Sequence, residues 1–158
     1  MKKYKRQGNE PSCGPVAIYN TLIWADAPKK TLKYLKKMCN YSGHGTGCID
    51  FHWAADNVAG IKIEDLVVFP NLSDIDNAIN NGKAVILRYY ADEDHSGHYT
   101  LCIGKSKKYY TLVNNRAYNE PGGVTSRVSR KKVSSWLGNV KTLVAVTSYP
   151  AAWIIKRT

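Results

Sequence analysis

The amino-acid sequence predicts an α+β fold, with a helical amino-terminal half packed on a carboxyl-terminal antiparallel sheet. Apolar residues recur at helical spacing in most of the first half, whereas short apolar runs typical of strands dominate the second half. Helices and strands segregated along a chain in this way are typical of α+β proteins. The chain has 158 residues, of which 44% are hydrophobic, so it is long enough to form one core. We therefore expect a single domain over residues 1–158.

The first predicted helix begins at Cys13, directly after Ser12, a residue type that favours the N-cap position. Pro15 falls in the first turn, where proline is tolerated, and Pro28 marks the position at which the helix should have ended. The face expected to be buried consists of Val16, Ala17, Asn20, Ile23 and Trp24.

Three shorter helices are expected. One covers residues 30–38, and a second covers "CIDFHWAADNVAG" and is closed by Gly60. The third covers "SDIDNAINNG", opens at Ser73 and ends at Gly82. Between the last two helices, "IKIEDLVVF" is expected to form a strand pair or a bent strand.

The second half of the chain is predicted to be rich in strands. Apolar runs bounded by turn-forming residues occur at 84–90, 98–104, 108–114 and 142–149. The second and third of these runs flank "KSKK" and are expected to pair as an antiparallel hairpin.

The charge balance and the hydropathy pattern restrict the class of protein. Lys and Arg number 23 against 12 Asp and Glu, so the formal net charge is +11. This excess favours encounter with polyanions such as nucleic acid, an anionic cell wall or a membrane surface, although a solvated basic surface is the preferred explanation. No apolar run approaches the roughly 18 residues of a membrane span, and "MKKYKRQGNEPSCG" lacks the apolar region of a signal peptide. We expect a location in the cytoplasm or inside a virus particle.

The four cysteines show no spacing typical of a disulfide framework, so free thiols are expected. Cys102 lies within an apolar strand and is interpreted as a core residue. A zinc site is the alternative use for Cys39, His44, Cys48 and His52, but their C-x4-H-x3-C-x3-H spacing is not one of the usual zinc patterns. We therefore expect no metal and no cofactor.

Cys13 is the candidate nucleophile. A thiol attacks a carbonyl carbon effectively only as a thiolate, which a helix N-terminus and a nearby imidazolium both favour. His98 is the preferred partner because it begins an apolar strand that can hold its ring rigidly, whereas His95 lies in an acidic loop and is the alternative.

A catalytic imidazole also needs an acceptor that fixes its orientation. In the expected hairpin, the end of the second strand returns beside the start of the first and brings Asn114 next to His98. Asn115 is the alternative because the register is not fixed by the sequence. The backbone N–H of Cys13 and the side-chain amide of Gln7 are the candidate donors to an oxyanion.

These residues resemble the papain-like cysteine peptidases that cleave bacteriocin leaders after double-glycine sites. The resemblance is carried by Gln7, by Cys13 and Gly14 six residues later, by "GHY" on a strand and by a polar residue sixteen positions after His98. The segments "GTGCIDFHWAADNVAG", "LSDIDNAINNGKAVILRYY", "HYTLCIG" and "KKVSSWLG" are also similar to that family. The resemblance implies a papain-like fold over the whole chain.

The same resemblance implies that Cys13 is the nucleophile, His98 the general base and then acid, and Gln7 the oxyanion donor. Asn114 stands where the family usually has Asp. The function expected is hydrolysis of a peptide or isopeptide bond in a peptide or protein substrate. The alternatives are a Cys/His/Asn amidase that cuts peptidoglycan, and a non-catalytic papain-fold binding module in a larger assembly such as a virus particle.

Overall fold

The structure is a computed structural model that describes residues 1–43, 45–90, 97–116, 120–139, 141–143 and 146–158, the backbone alone being described for 141–143 and 146–148. The helices in these ranges are α1 (Cys13–Trp24), α2 (Leu32–Met38), α3 (Cys48–Asn57), α4 (Leu72–Asn80) and α5 (Arg130–Leu137). The strands are β1 (Ile61–Val68), β2 (Ala84–Tyr89), β3 (His98–Lys105), β4 (Tyr109–Val113), β5 (Thr125–Ser129), β6 (Lys141–Leu143), β7 (Val146–Ser148) and β8 (Ala151–Arg157). The predicted α+β class is confirmed, with three helices preceding the first strand.

A six-stranded antiparallel sheet organises the molecule, in the order β1-β8-β2-β3-β4-β5. The last strand of the chain, β8, therefore lies between the edge strand β1 and β2. Strands β6 and β7 form a separate hairpin. The predicted hairpin of β3 and β4 is confirmed, with Leu101 opposite Val113 and an irregularity between Cys102 and Gly104.

The sheet separates two apolar clusters. On one face, residues of α1, α2 and α3 pack against Ile86, Leu101 and Trp153. On the other face, α4 and α5 pack against alternate residues of the same strands, among them Leu87 and Cys102. Strand residues that alternate between the two clusters explain why the central strands are apolar on both faces. The expected placement of Cys102 in the core is confirmed.

Several predicted boundaries differ from the structure. Helix α4 begins after Asn71 and not at Ser73, because Asn71 and Asp74 form a reciprocal capping box. Ser12 occupies the N-cap position of α1 without a side-chain cap hydrogen bond. Helix α1 ends at Trp24, before the turn in which Asp26 adopts a left-handed φ of 55°.

The carboxyl-terminal third differs most from the prediction. The strand predicted over 142–149 is divided into β6 and β7, whereas β5, α5 and β8 were not predicted. β8 reads "AAWIIKR" and carries two small alanines and no alternation of polar residues, so it lacks the pattern of a half-buried strand. It forms a strand because it pairs with β1 and β2 and because both of its faces are covered by the two apolar clusters.

An ion pair joins the elements that support β4. Asp76 on α4 accepts two hydrogen bonds from Arg130, at 2.7 and 2.6 Å, and one from the Tyr110 hydroxyl at 2.7 Å. The hydrogen bonds from Arg130 hold the pKa of Asp76 below its usual range, against the opposing effect of burial. Both partners retain roughly a fifth to a quarter of their side-chain exposure, so solvent screens the pair in part.

We predict that Asp76→Asn lowers the free energy of unfolding by about 1–2 kcal/mol at pH 7, because a bidentate charged pair is lost. A carboxyl group whose pKa is lowered by folding stabilises the fold above its unfolded pKa, and this contribution is lost as pH falls through the folded pKa. The difference between wild type and variant should therefore shrink below about pH 4. Urea unfolding at several pH values measures this difference. The matched control is Asp26→Asn, because the side chain of Asp26 is 78% exposed. A deficit that is constant with pH would contradict the prediction.

Candidate active site

Cys13 lies at the start of α1, where the helix emerges from the core. The next residues of the helix are buried, whereas the Cys13 side chain is half-buried. A Cβ atom at Gly14 would lie 3.1 Å from Cβ and Oγ1 of Thr46, so the absence of a side chain allows the loop before α3 to pack against the helix start. The sulfur therefore lies at a helix N-terminus, where the helix dipole favours negative charge.

His98 is the first residue of β3 and is held on two sides. It pairs with Tyr89 of β2 in the sheet, and the two rings make an edge-on contact with centroids 5.9 Å apart. Its Nε2 atom lies 2.7 Å from the backbone carbonyl oxygen of Asn114. A carbonyl oxygen can only accept a hydrogen bond, so Nε2 carries a proton and Nδ1 is the nitrogen left to face another partner.

The thiol of Cys13 is hydrogen-bonded to the side chain of His98. Burial alone would raise the pKa of Cys13. The hydrogen bond to His98, the charge of its imidazole and backbone hydrogen bonds from Tyr99 and Gly14 outweigh burial, and the pKa of Cys13 is lowered. The structure thus brings together the two side chains that the sequence singled out from opposite halves of the chain.

The other buried cysteines have the opposite character. Burial, followed by the charge of Asp50, raises the pKa of Cys39 to about 12. Burial also raises the pKa of Cys102 to about 12. Both therefore remain thiols at neutral pH, and the shift of their pKa is opposite in direction to that of Cys13.

Asn114 is adjacent to His98, but the contact is made by its main chain. Residue 114 follows β4, is buried and has a left-handed φ of 60°, a conformation that asparagine adopts more readily than most residues. Its side chain faces Gln7 instead: Oδ1 accepts a hydrogen bond from the backbone N–H of Gln7 at 2.9 Å, and Nδ2 donates to Gln7 Oε1 at 3.1 Å. Asn115 does not contact the imidazole in this way, since its Oδ1 accepts a short hydrogen bond from the Ser126 hydroxyl.

Gln7 is therefore linked to His98 through Asn114, and its side chain is already hydrogen-bonded within the protein. Besides the bond from Asn114, its Nε2 donates to the carbonyl oxygen of Glu10 at 3.2 Å. That carbonyl also accepts the backbone N–H of Ser12 at 2.8 Å. An oxyanion bound by Gln7 would take the place of the Glu10 carbonyl as the acceptor of this amide.

The segment that carries Gln7 is tied to α1 by a buried asparagine. Asn20 accepts the backbone N–H of Lys5 at 2.7 Å and donates to the carbonyl oxygen of Lys5 at 2.8 Å. Both main-chain groups of Lys5 are thus satisfied by one fully buried side chain. This explains why a polar residue stands on the predicted apolar face of α1, and it fixes the position of Gln7 two residues later.

The alternative site residues are placed as follows. His95 and His44 lie outside the described residues. Cys39 is buried, Cys48 is exposed, and His52 Nδ1 lies 3.2 Å from the indole Nε1 of Trp153, which donates to it. Among the described residues, no three His, Cys, Asp or Glu side chains are grouped so that they could hold a metal ion. Within the same ranges, no helix is both long and apolar enough to cross a membrane.

Tyr99 is a residue of this site that the sequence analysis did not select. Besides its backbone bond to Cys13, its hydroxyl donates to the carbonyl oxygen of Thr46 at 3.2 Å and lies 3.7 Å from Cys48 Sγ. Its ring stacks on Phe51 with centroids 4.3 Å apart. Strand alternation in the sequence could have indicated Tyr99, because it places residues 98 and 99 on opposite faces of the sheet. In the structure, Tyr99 lies on the face covered by α1, α2 and α3.

Comparison with solved structures identifies the fold, whereas comparison of the sequence alone finds no match. No protein-family model matches the sequence, and no curated protein sequence matches it. Two solved structures are similar over almost the whole chain. The peptidase domain of Streptococcus ComA, a bifunctional ABC transporter involved in a quorum-sensing pathway, has a TM-score of 0.71 at 14% identity and covers 98% of both chains.

The second structure is a Bacillus anthracis protein assigned to the C39-like peptidases. It has a TM-score of 0.65 at 11% identity, with 100% of this chain and 98% of the other covered. At such identities the similarity establishes the fold. The chain therefore has the C39 peptidase variant of the papain-like fold, and the resemblance predicted from the sequence is confirmed at that level.

We predict that His98→Gln raises the pKa of Cys13, because the imidazole that stabilises the thiolate is removed. Each unit of increase should slow alkylation by iodoacetamide about tenfold at a pH below both pKa values. The measurement is the pH dependence of carboxamidomethylation at each cysteine, mapped by mass spectrometry.

Cys48 is the matched internal reference for this experiment. Like Cys13 it is the first residue of a helix, but its described hydrogen-bond partner is the Tyr99 hydroxyl and not an imidazole. Equal slowing of Cys13 and Cys48 in the variant, or an unchanged profile at Cys13, would contradict the prediction.

Proposed function

We propose that this protein is a cysteine peptidase in which Cys13 is the nucleophile and His98 the general acid and base. The observation that carries the proposal is the hydrogen bond between the Cys13 thiol and His98 at the N-terminus of α1, together with the lowered thiol pKa. A thiolate–imidazolium pair is the reactive form of a cysteine hydrolase. The fold shared with C39 peptidase domains supports the same class of reaction.

The proposed reaction begins when the Cys13 thiolate attacks the carbonyl carbon of the scissile amide. The backbone N–H of Cys13 and the Gln7 amide stabilise the resulting oxyanion. The imidazolium of His98 then donates its proton to the leaving nitrogen, the C–N bond breaks and a thioester remains on Cys13. His98, now neutral, accepts a proton from water, which attacks the thioester and releases the carboxylic acid and the thiol.

Asn114 is proposed to position both other groups. Its carbonyl oxygen, 2.7 Å from His98 Nε2, keeps the ring in the tautomer whose Nδ1 faces the sulfur. Its side-chain amide holds the backbone and the side chain of Gln7. An aspartate could accept the Gln7 N–H but could not donate to Gln7 Oε1, so the amide suits this arrangement better than a carboxylate.

We expect Cys13→Ala to abolish peptide cleavage while leaving the melting temperature close to that of wild type. The measurement uses a proteome-derived peptide library, in which new amino termini are identified by mass spectrometry, so no substrate needs to be known. Cys48→Ala is the control, because it removes an exposed thiol near the site. Cleavage that persists in Cys13→Ala would refute the proposal.

The strong positive charge favours an anionic substrate surface as a second candidate. Peptidoglycan is such a surface, and its stem peptides contain amide bonds open to the same chemistry. Release of free amino groups from purified peptidoglycan by wild type, and not by Cys13→Ala, would identify this substrate. Cleavage confined to the soluble peptide library would exclude it.

We predict that Asn114→Gly leaves the pH profile of Cys13 alkylation close to that of wild type but lowers turnover at least tenfold. Glycine adopts the left-handed φ and keeps the carbonyl group that contacts His98, whereas the amide that holds Gln7 is lost. Gln7→Ala should lower turnover to a similar extent, and the double variant should be little worse than either single variant. If Asn114→Gly shifted the alkylation profile as far as His98→Gln does, the side chain and not the carbonyl would be the partner of His98.

A further inference from the structure

Arg88 lies on β2 beside the candidate active site, on the sheet face that packs against the amino-terminal helices. It pairs with Tyr99 across the sheet, one position away from the pair of Tyr89 and His98. Its guanidinium lies over two aromatic rings, 5.2 Å from the centroid of Tyr90 and 5.8 Å from that of Tyr99. The side chain is half-buried, and its position is fixed by these rings.

This guanidinium has no carboxylate partner among the residues that the structure describes. Its Nη1 donates a long hydrogen bond of 3.4 Å to the carbonyl oxygen of Tyr149, and the guanidinium also hydrogen-bonds to the neutral side chain of Tyr90. Its Nε is buried without a partner in the same ranges. Arg130, in contrast, makes a bidentate pair with Asp76. A partly desolvated cation that lacks a counter-charge is costly to the fold, and an anion would offset that cost.

The guanidinium is close to the proposed catalytic pair. A Cβ atom at Gly97, the residue before His98, would lie 3.0 Å from Arg88 Nη2, so the charged group lies directly against the backbone there. Tyr99, which lies under the guanidinium, makes the backbone hydrogen bond to the Cys13 thiol. Tyr99 therefore contacts both the Arg88 guanidinium and the Cys13 thiol, so a single residue separates the charged group from the sulfur.

We infer that Arg88 is a specificity-determining residue that binds a carboxylate group of the substrate beside the scissile bond. This inference rests on the proposed peptidase function and adds a substrate class to it. The guanidinium presents parallel N–H donors in a plane, which match the two oxygens of a carboxylate. Two parts of a peptide substrate carry such a carboxylate, namely an acidic side chain and a free carboxyl terminus.

The test measures how fast carboxylate-bearing reagents alkylate Cys13. Acetylated tripeptide chloromethyl ketones carry Glu or the isosteric Gln at each position in turn, and the thiolate displaces chloride to form a thioether. N-iodoacetylglycine and its amide form the second pair, which presents a terminal carboxylate. Every rate is normalised to that of iodoacetamide with the same protein, so a change in the thiol itself cancels.

We expect a preference of about tenfold for the carboxylate member of one pair in wild type, since charge-assisted hydrogen bonds are typically of that strength. Arg88→Gln should abolish the preference, and Arg88→Lys should retain part of it. Gly97→Ala provides a second variant, because its methyl group displaces the guanidinium without removing it. The pair that shows the preference identifies the source of the carboxylate.

Equal rates within every pair in wild type would overturn the inference, as would a preference that survives Arg88→Gln. If iodoacetamide still alkylates Cys13 rapidly at acidic pH in that case, the proposed function stands and only the role of Arg88 fails. A Cys13 that is no more reactive than Cys48 toward iodoacetamide would overturn both.

Discussion

The packing of α1 against β3 is the constraint on which the rest of the site depends. Nearly every residue of α1 after its first is buried, and each large apolar side chain removed from water contributes about 1.5–3 kcal/mol. Because the helix cannot move without exposing that surface, its N-terminus is fixed relative to the start of the strand. Cys13 and His98 occupy those two ends, so apolar packing brings their side chains together.

Hydrogen bonds from buried polar side chains then fix the position of the amino-terminal segment, which apolar packing alone does not fix. Asn20 ties the extended amino-terminal segment to α1, and Asn114 ties the same segment to the end of β4. Both asparagines are buried, and each hydrogen-bonds main-chain groups of this segment. The proposed oxyanion donor, Gln7, is thus located by two amides on different layers of the fold.

Two arginines illustrate how the same residue type serves different ends. Arg130 is paired with Asp76 and joins α4 to the junction of β5 and α5, so its charge is used within the protein. Arg88 lies over the rings of Tyr90 and Tyr99 and has no carboxylate partner among the described residues. The difference lies in their surroundings and is invisible in composition, where both count equally toward the net charge of +11.

The sequence by itself determined the fold class, the first four helices and the pairing of β3 with β4, because periodicity, caps and short hairpins are local. It also selected Cys13 and His98, whose chemistry requires a helix start and a rigid strand start. Only the tertiary structure decided that β8 lies inside the sheet, that the carbonyl and not the side chain of Asn114 faces the imidazole, and that Tyr99 contacts both Arg88 and Cys13. Each of these features depends on strand order, register or a left-handed backbone turn. The local sequence pattern is compatible with several such arrangements, and long-range packing selects one of them.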